Sequence, residues 1–133
     1  MKEIPIQVNS VKPLEKEYDH LAPDGSEIRL LVRTATSSTV HCRLRAGGVA
    51  KAVRHRTVEE IWYVLSGVGE FWLNGNTEII NLVEGLSFNV PARTAFQFRA
   101  RTDLDVLITT TPMWPGSSEA EWVDGYWNTG LTV

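Results

Sequence analysis

A chain of 133 residues with 43% hydrophobic and 22% charged residues has single-domain length and globular composition, which excludes a disordered or low-complexity protein. Thirteen basic and sixteen acidic residues leave a net charge of −3, too weak a field to gather nucleic acid or anionic lipid. No apolar run reaches the roughly 20 residues that span a bilayer.

In chain order, residues 1–25 read as a polar arm with Tyr18 and His20 as candidate anchors, His20 facing solvent. The barrel core is expected over about 26–111. Short apolar-polar runs separated by turns predict strands over 26–34, 38–45, 49–55, 60–65, 70–73, 77–80, 86–90, 95–101 and 104–111, the spacing of an all-β barrel or sandwich. Asn74-Gly75 is the best hairpin signal, since both residues tolerate positive φ. Connections this short force antiparallel neighbours. Cys42 is the lone cysteine, so no disulfide is needed. With no apolar secretory stretch after Met1, the expected location is the cytoplasm. Residues 112–133 hold Trp114, Trp122 and Trp127 and read as an irregular arm, with one helical turn over 119–123. The arm either packs across the outside, closes a pocket, or builds a dimer interface.

Parity places Val53 with His55 on one strand face. It likewise groups Glu60 with Trp62 and Val64, Phe88 with Val90, and Phe96 with Phe98. Facing inward, these residues would surround one imidazole and one carboxylate with apolar side chains, the usual make-up of a small-molecule site. Each aromatic on its own is better explained as core, so the case for a pocket rests on the set, and the alternative for His55 with Glu60 is a satisfied buried couple. Arg54, Arg56 and Glu59 fall on the outward parity. In 40–45, either Val40, Cys42 and Leu44 form the core face, or His41 and Arg43 reach the pocket.

The run from Gly47 through His55, Glu60 and Gly67, followed by Gly85 through Pro91 to Phe96, resembles the two-motif pattern of the cupin superfamily, Gly-x5-His-x-His-x3–4-Glu-x6-Gly and Gly-x5-Pro-x-Gly-x2-His-x3-Asn. The resemblance covers about residues 40–110. It implies an all-β, antiparallel double-stranded β-helix, the jelly-roll or cupin barrel, in one domain spanning 1–133. The metal positions of the pattern fall on Val53, His55, Glu60 and Phe96, and Arg93 stands where the pattern has glycine. Two of the four metal positions are therefore apolar, so no cofactor is expected, or at most a divalent metal weakly held by His55 and Glu60.

Three functions follow as expectations. The first is a binding module holding a small molecule against Val53, His55, Glu60, Trp62, Phe88, Phe96 and Phe98. The second is a metal-free isomerase, cyclase or lyase with His55 and Glu60 as its catalytic acid-base pair, poised near neutrality because an apolar pocket raises a carboxylate's pKa and a neighbouring imidazolium lowers it. Removing the Glu60 charge would then lower the His55 pKa. The third is a metalloenzyme that adds water or His41 as ligands. The Trp-rich arm and the family's habit of pairing barrels predict a homodimer, with no nucleic-acid or membrane partner.

Overall fold

Apolar-polar alternation resolves, in a computed structural model that describes residues 10–129, into β1 His20–Leu21, β2 Glu27–Arg33, β3 Ser38–Leu44, β4 Val53–His55, β5 Glu59–Ser66, β6 Gly69–Leu73, β7 Ile80–Leu82, β8 Ser87–Val90, β9 Phe96–Ala100, β10 Leu104–Thr111 and β11 Ala120–Trp122. A 3-10 turn, Ser117–Glu119, precedes β11. Six strands form one sheet in the order β1-β2-β3-β10-β5-β8, and five form the other in the order β11-β4-β9-β6-β7. Pairing is antiparallel throughout. The two sheets face each other as a jelly roll. No helix among the described residues is long and apolar enough to cross a membrane.

The strands obey their period. On β5, Glu60, Trp62 and Val64 are buried while Glu59, Ile61, Tyr63 and Leu65 are exposed, so one face enters the core and the other leaves it. β10 alternates likewise, burying Leu104, Val106, Ile108 and Thr110. The turn after β5 is fixed sterically: a Cβ at Gly67 or Gly69 would collide with the carbonyl of Asp103 or Arg99. Only glycine fits there.

Several elements differ from expectation. The strand expected over 77–80 begins at Ile80, because Leu73–Asn76 closes a turn (Asn76 N–H to Leu73 O, 3.0 Å) and the polar residues after it bulge outward. Only Gly75 of the Asn-Gly pair takes positive φ, at 97°. The run 49–55 is a strand only over Val53–His55, plus a lone bridge from Val49 to Arg99. Between them the backbone finds other partners, Gln97 Nε2 to Ala50 O and Lys51 N–H to Asp24 O. Over 119–123, the expected helical turn is β11, because Ala120, Glu121 and Trp122 pair in register with His55, Arg54 and Val53. Both flanks therefore lend a strand, and the sheets extend beyond 26–111.

Two inserted segments cover the sheets from outside. Residues around Glu15 and Lys16 lie over the six-stranded sheet, where buried Arg29 donates to Glu15 O at 2.8 Å and Lys16 O at 2.7 Å. Tyr126 and Trp127 lie over the five-stranded sheet. There buried Gln97 accepts from Tyr126 and Trp127 N–H at 2.9 and 2.8 Å and donates to Trp127 O at 2.9 Å.

Candidate functional site

β4 carries Val53 and His55 inward, and Val53 pairs directly across from Phe96 on β9. β5 carries Glu60 and Trp62 inward, opposite Thr110 and Ile108 on one side and Val90 and Phe88 on the other. The fold thus brings the seven candidate residues Val53, His55, Glu60, Trp62, Phe88, Phe96 and Phe98 into one interior. The aromatic members pack on each other rather than around open space. Trp62 meets Phe98 at 5.0 Å and Phe88 at 5.6 Å between centroids, and Trp62, Phe96 and Phe98 are 2% exposed or less. Phe71 completes this cluster, 5.1 Å from Trp62 and 5.4 Å from Phe96. It was not among the candidates, although the parity of β6 with Leu73 points it inward. Two hollows among the described residues lie outside the barrel, on the 75–80 turn and between Gly48 and Arg101.

The polar groups gather at one end. Trp62 Nε1–H donates to Glu60 Oε1 at 2.9 Å. His55 Nδ1 stands 3.8 Å from the same oxygen, too far for a hydrogen bond, and is buried without a partner among the described residues. Thr110 is buried beside Glu60, and its hydroxyl bonds that of Ser38, which accepts the Trp114 N–H at 3.0 Å. The imidazole lies edge-on between Phe96, at 5.2 Å, and Trp114, at 5.1 Å. That the arm holding Trp114 closes a pocket was one of the alternatives the sequence left open, but nothing local singles out His55 as the residue it meets.

Burial moves the two titratable groups in opposite directions. Desolvation lowers His55 to about 4, against a weaker upward pull from Glu119. Desolvation raises Glu60 to about 8, although the Trp62 hydrogen bond favours its charge. At neutral pH the imidazole is therefore uncharged and the carboxyl protonated. Of the two influences expected on the carboxyl, the raising by its apolar surroundings is the one that acts; the lowering by a neighbouring imidazolium is not, since His55 is itself held uncharged by lost solvent and stands 3.8 Å away.

Other residues fall as follows. Cys42 and Leu44 are buried in the core, so the apolar face of β3 points inward. His41 points out of the barrel, where Asp105 Oδ1 bonds its Nε2 at 2.9 Å and Arg43 Nε at 2.7 Å. It is nonetheless buried, under the segment before β1. His41 therefore cannot serve as a ligand beside His55. Glu119 is buried and accepts from Thr57 N–H, Thr57 Oγ1 and Val58 N–H at 2.5, 2.7 and 2.8 Å. Desolvation opposes its charge, but these bonds outweigh it and hold the carboxyl below the ordinary range. Asp24 is raised by desolvation while Ser26 donates to it twice, and its charge is felt at Glu60. As expected, His20, Arg56 and Glu59 are exposed.

The resemblance assigns metal ligation to Val53, His55, Glu60 and Phe96. Valine and phenylalanine offer no lone pair, and catalytic zinc sites use three protein ligands. Among the described residues, no group of three or more His, Cys, Asp or Glu is placed to hold an ion. These side chains do not fit a resident metal.

Two antiparallel sheets closed into a jelly roll, with a glycine-bounded His-Glu segment at one end, define the class. The cupin domain family matches residues 40–112, and the chain belongs to that family. Over 51 residues it is 41% identical to the pyrimidine/purine nucleoside phosphorylase of Colwellia psychrerythraea, a match taking in 38% of this chain and 49% of that protein. The chain thus spans about half the length of this curated relative. Ectoine synthase from P. lautus superposes with a TM-score of 0.69 at 19% identity, covering 92% of this chain and 95% of that one. KdgF from Halomonas sp. does so at 0.65 and 22% identity, covering 76% and 94%. At such identities the likeness carries the fold alone.

Proposed function

We propose that this cupin binds a small, uncharged, partly aromatic molecule bearing a hydroxyl group at the His55–Glu60 end of the barrel. The observation that carries this reading is His55 Nδ1, buried without a partner among the described residues and 3.8 Å from Glu60 Oε1. A buried nitrogen left unbonded costs about 1–3 kcal/mol, and a hydroxyl, which both donates and accepts, satisfies it and the carboxyl together. Because both titratable groups are uncharged at neutral pH, a formal charge on the ligand would find no counter-charge from them. The relative's name points the same way: a nucleoside joins an uncharged aromatic base to a hydroxylated sugar.

Thermal-shift titration at pH 7 tests this with uridine and adenosine, each beside its 5′-carboxylate and 5′-amino analogue. The uncharged member is expected to raise Tm, and Glu60→Gln to weaken that effect. Stabilisation by the charged analogues alone would overturn the reading. A second reading follows from the protonated Glu60 carboxyl: general acid in a metal-free isomerase, cyclase or lyase. There Glu60→Gln would abolish turnover while leaving binding largely intact. The proposed setting is a cytoplasmic homodimer.

A further inference from the structure

We propose that residues 112–119 form a strap gating the His55–Glu60 end of the barrel, with Trp114 as the group that opens and closes it. The proposal rests on the reading that a ligand occupies this end, and adds how it enters. Among the described residues, the imidazole of His55 has two near-perpendicular ring neighbours, Phe96 at 5.2 Å and the Trp114 indole at 5.1 Å. Phe96 belongs to the packed core and is fixed. Trp114 is half-buried and sits on a segment outside both sheets. Trp114 is therefore the ring neighbour of His55 that can move without disturbing the core.

The anchors of the strap are unequal. Its far end is held by Glu119, whose carboxylate takes three hydrogen bonds from Thr57 and Val58, and by the pairing of β11 with β4. Its near end is held by Trp114 N–H to Ser38 Oγ and by Arg33 Nη1 to the Met113 sulfur, a weak acceptor, at 3.3 Å. Three bonds to a carboxylate outweigh one neutral bond and one to a thioether, so the Trp114 end is the one that releases. Between the anchors, no hydrogen bond ties Pro115 or Gly116 to the barrel among the described residues. Gly116 takes φ 141°, a conformation side chains other than glycine rarely adopt. It supplies a pivot between a loose end and a fixed one.

Histidine acylation by diethyl pyrocarbonate, followed residue by residue by peptide mass spectrometry at pH 7, tests this without any ligand. The reagent transfers an ethoxycarbonyl group to an uncharged imidazole nitrogen, releasing carbon dioxide and ethanol. Exposed His20 reports the reagent, and His41, buried on the opposite face of its sheet, reports the fold. In the unaltered protein His55 is expected to react well behind His20. Trp114→Ala is expected to raise the His55 rate by roughly tenfold or more, as removal of a local barrier does, with His41 unchanged. Trp114→Phe, which keeps most of the cover, is expected to stay close to the unaltered rate. A His55 rate equal to that of His20 in the unaltered protein, no change in Trp114→Ala, or a parallel rise at His41 would each overturn the gate. Because exposure rather than binding is read, the gate can fail while the ligand reading stands, and the reverse.

Discussion

Burial acts on His55 and Glu60 with opposite signs, and the consequence is measurable. The folded pKa of Glu60 is raised from 4.5 to about 8, so between those values the folded protein holds a proton the unfolded chain has released. Stability then falls as pH rises, by at most about 1.4 kcal/mol per pH unit. The folded pKa of His55 is lowered from 6.5 to about 4, so its contribution is lost as pH falls through that window. The slopes oppose each other from 4.5 to 6.5, and only the Glu60 slope remains from 6.5 to about 8. Urea denaturation is expected to show stability declining over that upper window in the unaltered protein and level in Glu60→Gln. Equal slopes would mean that the folded protein keeps Glu60 ionised. The same substitution is expected to leave the His55 NMR titration in place, since near pH 4 Glu60 already carries its proton. Val53 and Phe96 are direct cross-strand partners, so Val53→His with Phe96→His would set two imidazoles beside His55. Calorimetry is expected to show nickel or zinc affinity rising by about three orders of magnitude or more, at some loss of stability. Arg93 holds φ 61° where the family pattern has glycine. Arg93→Gly relieves a left-handed conformation worth about 1–2 kcal/mol, and a modest gain in Tm is expected. Parity made the inward set legible in the sequence. It could not say that the aromatics fill the interior, because volume is set by all strands together.

Among the elements, the C-terminal segment was the least legible. Its strand pairs with residues some 65 positions earlier (Ala120 with His55), and no local pattern encodes a partner that distant. Glu119 and Gln97 were invisible for the same reason, since each is polar, buried and satisfied only by other segments. The central strands, by contrast, were readable because alternation and turn chemistry are local. Glu119→Ala leaves the Thr57 and Val58 donors without their acceptor. A cost of about 2–3 kcal/mol is expected in chemical denaturation, since bonds to a charged group are the strong ones. Deleting 113–133 removes this anchor, β11 and the cover over Gln97 together. A clear fall in Tm or self-association is expected, because exposed apolar surface promotes aggregation. Unchanged Tm in a monomer would make the segment dispensable.

At the scale of the whole molecule, the outer face of β5 presents Ile61, Tyr63 and Leu65 at 58%, 44% and 38% exposure. The proposed homodimer would cover such a face. Sedimentation at micromolar concentration is expected to give twice the 14.9 kDa chain mass, and Ile61→Lys to shift it toward monomer. The sheet order carries one more consequence, for how the chain is made. The strand between β3 and β5 is β10, and the strand between β4 and β6 is β9. Until residues 96–111 leave the ribosome, each incipient sheet lacks a middle strand, and the inner edges of β3 and β5 stand open. Such edges invite pairing with other chains, and closure over long separations is slow. The nascent chain therefore stays an incomplete barrel until β9 and β10 have both emerged.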